Sequence, residues 1–132
     1  MLKKMLKVTG SLLVMVLMVG MFTKPAEAST TYHFGKTSFS NYIWLNSGYS
    51  FYSPYFVQFE KYDANTVRVE VYNSANAYLG SQTYTGSGWK VFSLNGTSPS
   101  GLWMQGKFAK FKFVNLSGGT ADIYQGDVRY NW

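Results

Sequence analysis

Residues 66–73, Thr-Val-Arg-Val-Glu-Val-Tyr-Asn, restrict the possible folds more than any other stretch. Val67, Val69 and Val71 alternate with Arg68, Glu70 and Tyr72. β-Branched residues at period two mark a strand with one buried face. Such a strand needs paired neighbours, and the flanking segments can supply them.

Residues 55–62 repeat the pattern, with Tyr55, Val57 and Phe59 on one side and Gln58, Glu60 and Tyr62 on the other. Read as a hairpin across the loop 63–65, with Asn65 left-handed, the two strands set Tyr62 opposite Thr66. Glu60 then faces Arg68, and Phe59 faces Val69. The next register of the same parity would oppose Glu60 and Glu70, which like-charge repulsion disfavours. Residues 77–85 are the expected return strand, with Leu79 on the core side opposite Val71 and Tyr78 opposite Tyr72.

In residues 107–114, Ala109, Phe111 and Phe113 point inward and Lys110 and Lys112 outward, where lysines guard against edge pairing. Residues 121–130 form the last strand. Ile123 and Val128 differ in parity, so a slip is needed, and Gly126 is the expected β-bulge. Residues 29–39 suggest an edge strand. Residues 41–51 suggest a strand, a turn at Asn46-Ser47-Gly48 and a second strand, and residues 89–94 another. Residues 95–106 make the longest loop, carrying Leu102-Trp103-Met104. Beyond residue 28 no segment has helical period. The pattern predicts an all-β antiparallel sandwich of seven or eight short strands, with a jelly roll as one form.

Residues 1–28 stand apart. Lys3, Lys4 and Lys7 precede an apolar run that ends at Lys24-Pro25 and Ala26-Glu27-Ala28. This is the layout of a secretory signal peptide cut after Ala28. The run is shorter than the ~20 residues of a membrane span. The expected mature chain is one soluble, released domain, 29–132, with no membrane anchor left after cleavage. Removing four lysines and one glutamate leaves eight basic and five acidic residues, a net charge of +3. Without a run of like charges, that does not point to nucleic acid. The absence of cysteine in an exported domain suggests a bacterial source, and the lysine-rich leader a Gram-positive one. A monomer is expected.

Chemistry-bearing residues are few. His33 is the only histidine, and no nucleophile elbow, metal-binding cluster or phosphate loop is present. Glu60 and Glu70 are the best pair for glycoside cleavage, which asks for two carboxyl groups roughly 5–10 Å apart. An ion pair of Glu60 with Arg68, and a solvated Glu70, explain them more simply. Asp122 and Asp127 do not make a dense acidic loop for calcium. The expectation is no enzyme, no metal and no cofactor.

Recognition by aromatic side chains is the stronger reading. Of the 104 residues after position 28, 24 are Phe, Tyr or Trp, more than a small core is expected to hide. The hairpin register puts Tyr62, Tyr72, Tyr78 and Tyr84 on the outer face with Arg68. Rigid amphipathic rings of this kind suit the C–H faces of sugars. Trp103 is a second candidate contact, although an apolar loop triplet also serves as a plug over one end of a sandwich. The sequence therefore predicts a secreted, non-catalytic domain for cell-wall or other polysaccharide. Alternatives are an antimicrobial or toxin-like protein acting on competitor envelopes, and an extracellular matrix or surface structural protein.

Overall fold

In a computed structural model the valine alternation becomes β6 (Val67–Tyr72), with Val67, Val69 and Val71 fully buried. The structure describes residues 29–97 and 100–132. The expected signal peptide, with its cut after Ala28, lies outside the described residues.

Two antiparallel sheets pack face to face. The first holds β1 (Thr30–Phe34), β2 (Thr37–Phe39), β5 (Phe56–Lys61), β8 (Gly88–Ser93) and β10 (Ala121–Tyr130). Its order is β1-β10-β5-β8, and β2 also pairs with β10. The second holds β3 (Tyr42–Trp44), β4 (Phe51–Tyr52), β6, β7 (Tyr78–Tyr84) and β9 (Phe108–Asn115). Its order is β3-β9-β6-β7, and β4 also pairs with β9. The antiparallel β-sandwich is as predicted. The ten strands among the described residues exceed the expected seven or eight because the shortest pieces, such as β2 and β4, carry too few residues to show a period.

The core lies between the sheets and is largely aromatic. Phe59 of β5 and Phe113 of β9 meet across it with ring centroids 4.9 Å apart. Phe34 of β1 adds an edge-on contact to Phe113 at 6.0 Å. Offset and edge-on ring pairs add about 0.5–1.5 kcal/mol each beyond their buried area. Ala109, Phe111 and Phe113 point inward as the sequence implies, each fully buried.

Four expectations need correction. First, β5 and β6 are not a hairpin. Phe59 pairs with Gly126 and Lys90, while Val69 pairs with Phe113 and Gln82. Residues 62–66 cross between sheets, wrapped around an inward-pointing Lys61. Its Nζ donates to the carbonyl of Asp63 at 3.2 Å and to that of Asn65. The Asp63 carboxylate in turn accepts the amides of Asn65 (3.0 Å) and Asp122 (2.8 Å). A hairpin and a crossing loop both turn Phe59 and Val69 inward, so alternation alone does not separate them.

Second, β7 bulges at Leu79. Tyr72 pairs with Tyr78 as expected, but Val71 pairs with Gly80. Leu79 is turned out, and Leu102 fills the space over Gly80, 3.2 Å from where a Cβ would stand. Third, the irregularity in β10 falls between Ile123 and Gln125, not at Gly126. Gly126 is instead the point where the Phe34 ring crosses the strand. Fourth, β9 lies inside its sheet, between β6 and the strands β3 and β4, so Lys110 and Lys112 guard no edge.

Candidate functional site: the outer face of the second sheet

Even-numbered residues of β6 and β9 point away from the core, and the same alternation operates in β3. Ile43 packs against the core, so Tyr42 and Trp44 share the outside. Register brings these positions together: Trp44 pairs with Lys112, Lys112 with Glu70, Lys110 with Tyr72, and Tyr72 with Tyr78. Trp44 reaches over β9 to Tyr72, with ring centroids 5.1 Å apart. Tyr72 meets Tyr78 at 5.7 Å. The result is an aromatic row across four strands. Tyr42 flanks it at one end of β3, and the Tyr52–Phe108 pair, at 4.9 Å, lies further along β9.

Polar groups pin the row in place. Glu70 is buried beneath it, 8% exposed. One of its oxygens accepts Arg68 Nε and the other the Tyr72 hydroxyl, both at 2.8 Å. That bond to Glu70, and burial behind it, hold the Tyr72 hydroxyl above the ordinary phenol range. The Lys112 ammonium sits 4.2 Å from the Tyr42 ring centre and 5.4 Å from that of Trp44, a cation–π arrangement. The Lys110 ammonium donates to Asn76 Oδ1 at 2.7 Å. Asn76 is placed for this by its left-handed backbone (φ 65°) in the β6–β7 turn. The Asn73 side chain holds that turn, accepting the amides of Ala75 and Ala77 at 2.9 Å.

The expected site residues divide. Arg68, Tyr72 and Tyr78 come together on this face. Tyr62 is exposed but belongs to the other side of the molecule, stacked on Tyr124 of β10 at 6.5 Å. Tyr84 is buried, because the bulge at Leu79 reverses the parity of β7 beyond it. Its hydroxyl donates to the Val91 carbonyl at 2.9 Å, and burial pushes that hydroxyl well above the ordinary phenol range. Trp103 is half exposed and stands 5.4 Å from Trp132; its neighbours Leu102 and Met104 form the plug. Beside them a cleft of about 500 Å³ is lined by Leu79, Trp103 and Phe108, with Asn73 and Lys107 among its polar members.

Glu60 and Glu70 do not share a sheet. Glu60 is on the first sheet, where it accepts Gln125 Nε2 at 3.2 Å rather than pairing with Arg68. Glu70 is on the second sheet and buried, not solvated. Exposed His33 has Nδ1 2.7 Å from Asp127 Oδ1, and Gln58 Nε2 donates to the other Asp127 oxygen at 3.1 Å. This ties β1, β10 and β5 together on the first sheet. Among the described residues no three His, Cys, Asp or Glu side chains converge as a metal site.

Trp44 and Tyr42 are members of the face that sequence reasoning does not single out, and Lys110 and Lys112, read as outward, are there assigned to edge protection instead. The signal was available: Tyr-Ile-Trp at residues 42–44 has the same period as β6, and Ile43 fixes which side is outside. No protein-family model matches this chain, and no curated protein matches it in sequence.

Proposed function

We propose that this protein is a secreted, non-catalytic binding domain for cell-wall or other polysaccharide, and that the outer face of the second sheet is its contact surface. The observation that carries this reading is the row Trp44–Tyr72–Tyr78, fixed from below by Glu70 and Arg68. Rigid rings on a sheet lose little entropy when a ligand docks. The rings are inclined to one another, by 57° between Trp44 and Tyr72 and 66° between Tyr72 and Tyr78, so the row offers separate C–H contacts to successive sugar rings of an extended polymer, while hydroxyls reach Arg68, Ser81 and Asn76 beside it. The signal-like leader supports export, the cysteine-free chain supports a bacterial source, and the lysine-rich leader a Gram-positive one.

Co-sedimentation of the purified protein with insoluble polysaccharides tests the binding. Retention on at least one wall-type polymer is expected, and no retention on any contradicts it. Export is tested by the mass of protein recovered from culture medium, which should correspond to a chain beginning at Ser29. A second reading, an antimicrobial protein acting on competitor envelopes, draws support from half-exposed Trp103 beside the cleft. Dye release from anionic liposomes would favour it.

A further inference from the structure

We propose that the polymer taken by this face is polyanionic, with carboxylate or phosphate groups repeating along a sugar chain. This rests on the reading of the face as a glycan platform and narrows its ligand class.

Charge is distributed unevenly between the two sheets. The strands of the first carry Lys61, Lys90 and Arg129 against Glu60, Asp122 and Asp127, a balanced set. The strands of the second carry Arg68, Lys110 and Lys112 against Glu70 alone. Both Glu70 oxygens are already engaged, by Arg68 and by the Tyr72 hydroxyl. The positive surplus therefore belongs to Lys110 and Lys112, on the same face as the aromatic row.

Their placement fits an anion that arrives with a sugar ring. The two lysines are two residues apart on one face of β9, so their Cα atoms are about 6.5 Å apart. Trp44 overhangs the strand they share. Lys112 lies against the Tyr42 and Trp44 rings. Lys110 lines a notch of about 260 Å³ with Trp44, Gly48 and Asn76. Two of its lining residues, Gly48 and Asn76, have left-handed backbone. A lysine ammonium offers three donors and no acceptor. Two of them beside stacking rings favour carboxylate or phosphate over a neutral hydroxyl, which both gives and takes hydrogen bonds.

The test compares polygalacturonate with the same chain fully methyl-esterified, which keeps the sugar backbone and removes the charge. A glycan whose sugar rings are joined through phosphodiesters supplies the phosphate arm, and the stronger of the two charged polymers identifies the anion. Wild type should prefer a charged polymer by roughly tenfold, about the worth of one charge-assisted hydrogen bond, and should weaken as salt is raised. K110Q/K112Q should erase that preference while keeping residual binding to the esterified chain. K110R/K112R should retain the preference. Equal binding of wild type to charged and esterified chains, or an unchanged K110Q/K112Q, overturns the polyanion proposal and leaves the glycan platform standing. Failure of wild type to bind any polymer brings down both.

Discussion

Gly126→Ala probes how the first sheet closes over the core. Gly126 lies in β10 between Phe34 of β1 and Phe59 of β5. Its φ is outside the left-handed region, so an alanine there meets no backbone penalty and the effect is purely steric. A Cβ would stand 2.2 Å from Phe34 Cζ, and 2.7 Å from both Phe34 Cε2 and the Gln58 carbonyl oxygen. Comfortable contact is roughly 3.5–4.0 Å. The ring cannot simply swing away, since it is wedged against Phe113 and Tyr32. The carbonyl cannot yield either, because β5 is paired on both sides. Overpacking costs about 1–3 kcal/mol, and two unyielding contacts place this site near 3 kcal/mol. For a domain of this size that lowers Tm by roughly 10–20 °C. Urea unfolding monitored by tryptophan fluorescence gives the value. Phe34→Leu in the same chain removes the ring atoms in collision, so the double variant should lose less than the sum of the singles. A Gly126→Ala protein within about 0.5 kcal/mol of wild type would refute the register of β1 and β5 on β10.

Three further outcomes follow from the polar groups. Tyr84 has a raised folded-state pKa, so it stabilises the fold fully below the ordinary phenol value of 10.0 and loses that contribution as pH rises towards its folded value. Tyr84→Phe should lower stability at neutral pH by about 1 kcal/mol for the lost bond to Val91 and flatten the alkaline limb of a Tm–pH profile above pH 10. Asp63 moves the other way: burial raises its pKa, but the amides of Asp122 and Asn65 and the Lys61 ammonium outweigh that and leave it lowered. Its contribution is present above the ordinary value of 3.8 and is lost as pH falls through the lower folded value, so Asp63→Asn should flatten the acid limb as pH falls from 3.8 towards that folded value. Tyr72→Phe keeps the ring and removes a hydrogen bond to buried Glu70. Urea unfolding should record a loss of about 1.5–3 kcal/mol, and polysaccharide retention should weaken as the ring loses its tie to Glu70, though less than for Tyr72→Ala.

Period-two patterning identified the strands and their inner faces, because each needs only a local count. Val67, Val69 and Val71, and Ala109, Phe111 and Phe113, point inward as read. Partnership between strands was less legible. Nothing in residues 62–66 distinguishes a hairpin from a crossing loop until Lys61 is seen turned inward and capped by backbone carbonyls. A single extra residue at Leu79 preserved Tyr78 on the face and removed Tyr84 from it, so half of a parity argument held and half failed. Glu70 looked solvated because its alternation is outward. Only the flanking Arg68 and Tyr72, and the rings laid over the sheet, bury it. The aromatic row itself depends on β3 joining β9, a pairing between segments about 70 residues apart that no local pattern encodes.

The central claim is that sugar polymers meet the second sheet and not the other exposed rings. Retention on a bound polysaccharide should be compared for wild type, Tyr72→Ala/Tyr78→Ala, and Tyr62→Ala/Tyr124→Ala, with folding of each checked by a melting curve. The account predicts that the first double variant loses retention and that the second, which removes the stacked pair on the opposite side, keeps it. Loss confined to Tyr62→Ala/Tyr124→Ala, or full retention by Tyr72→Ala/Tyr78→Ala, would contradict it.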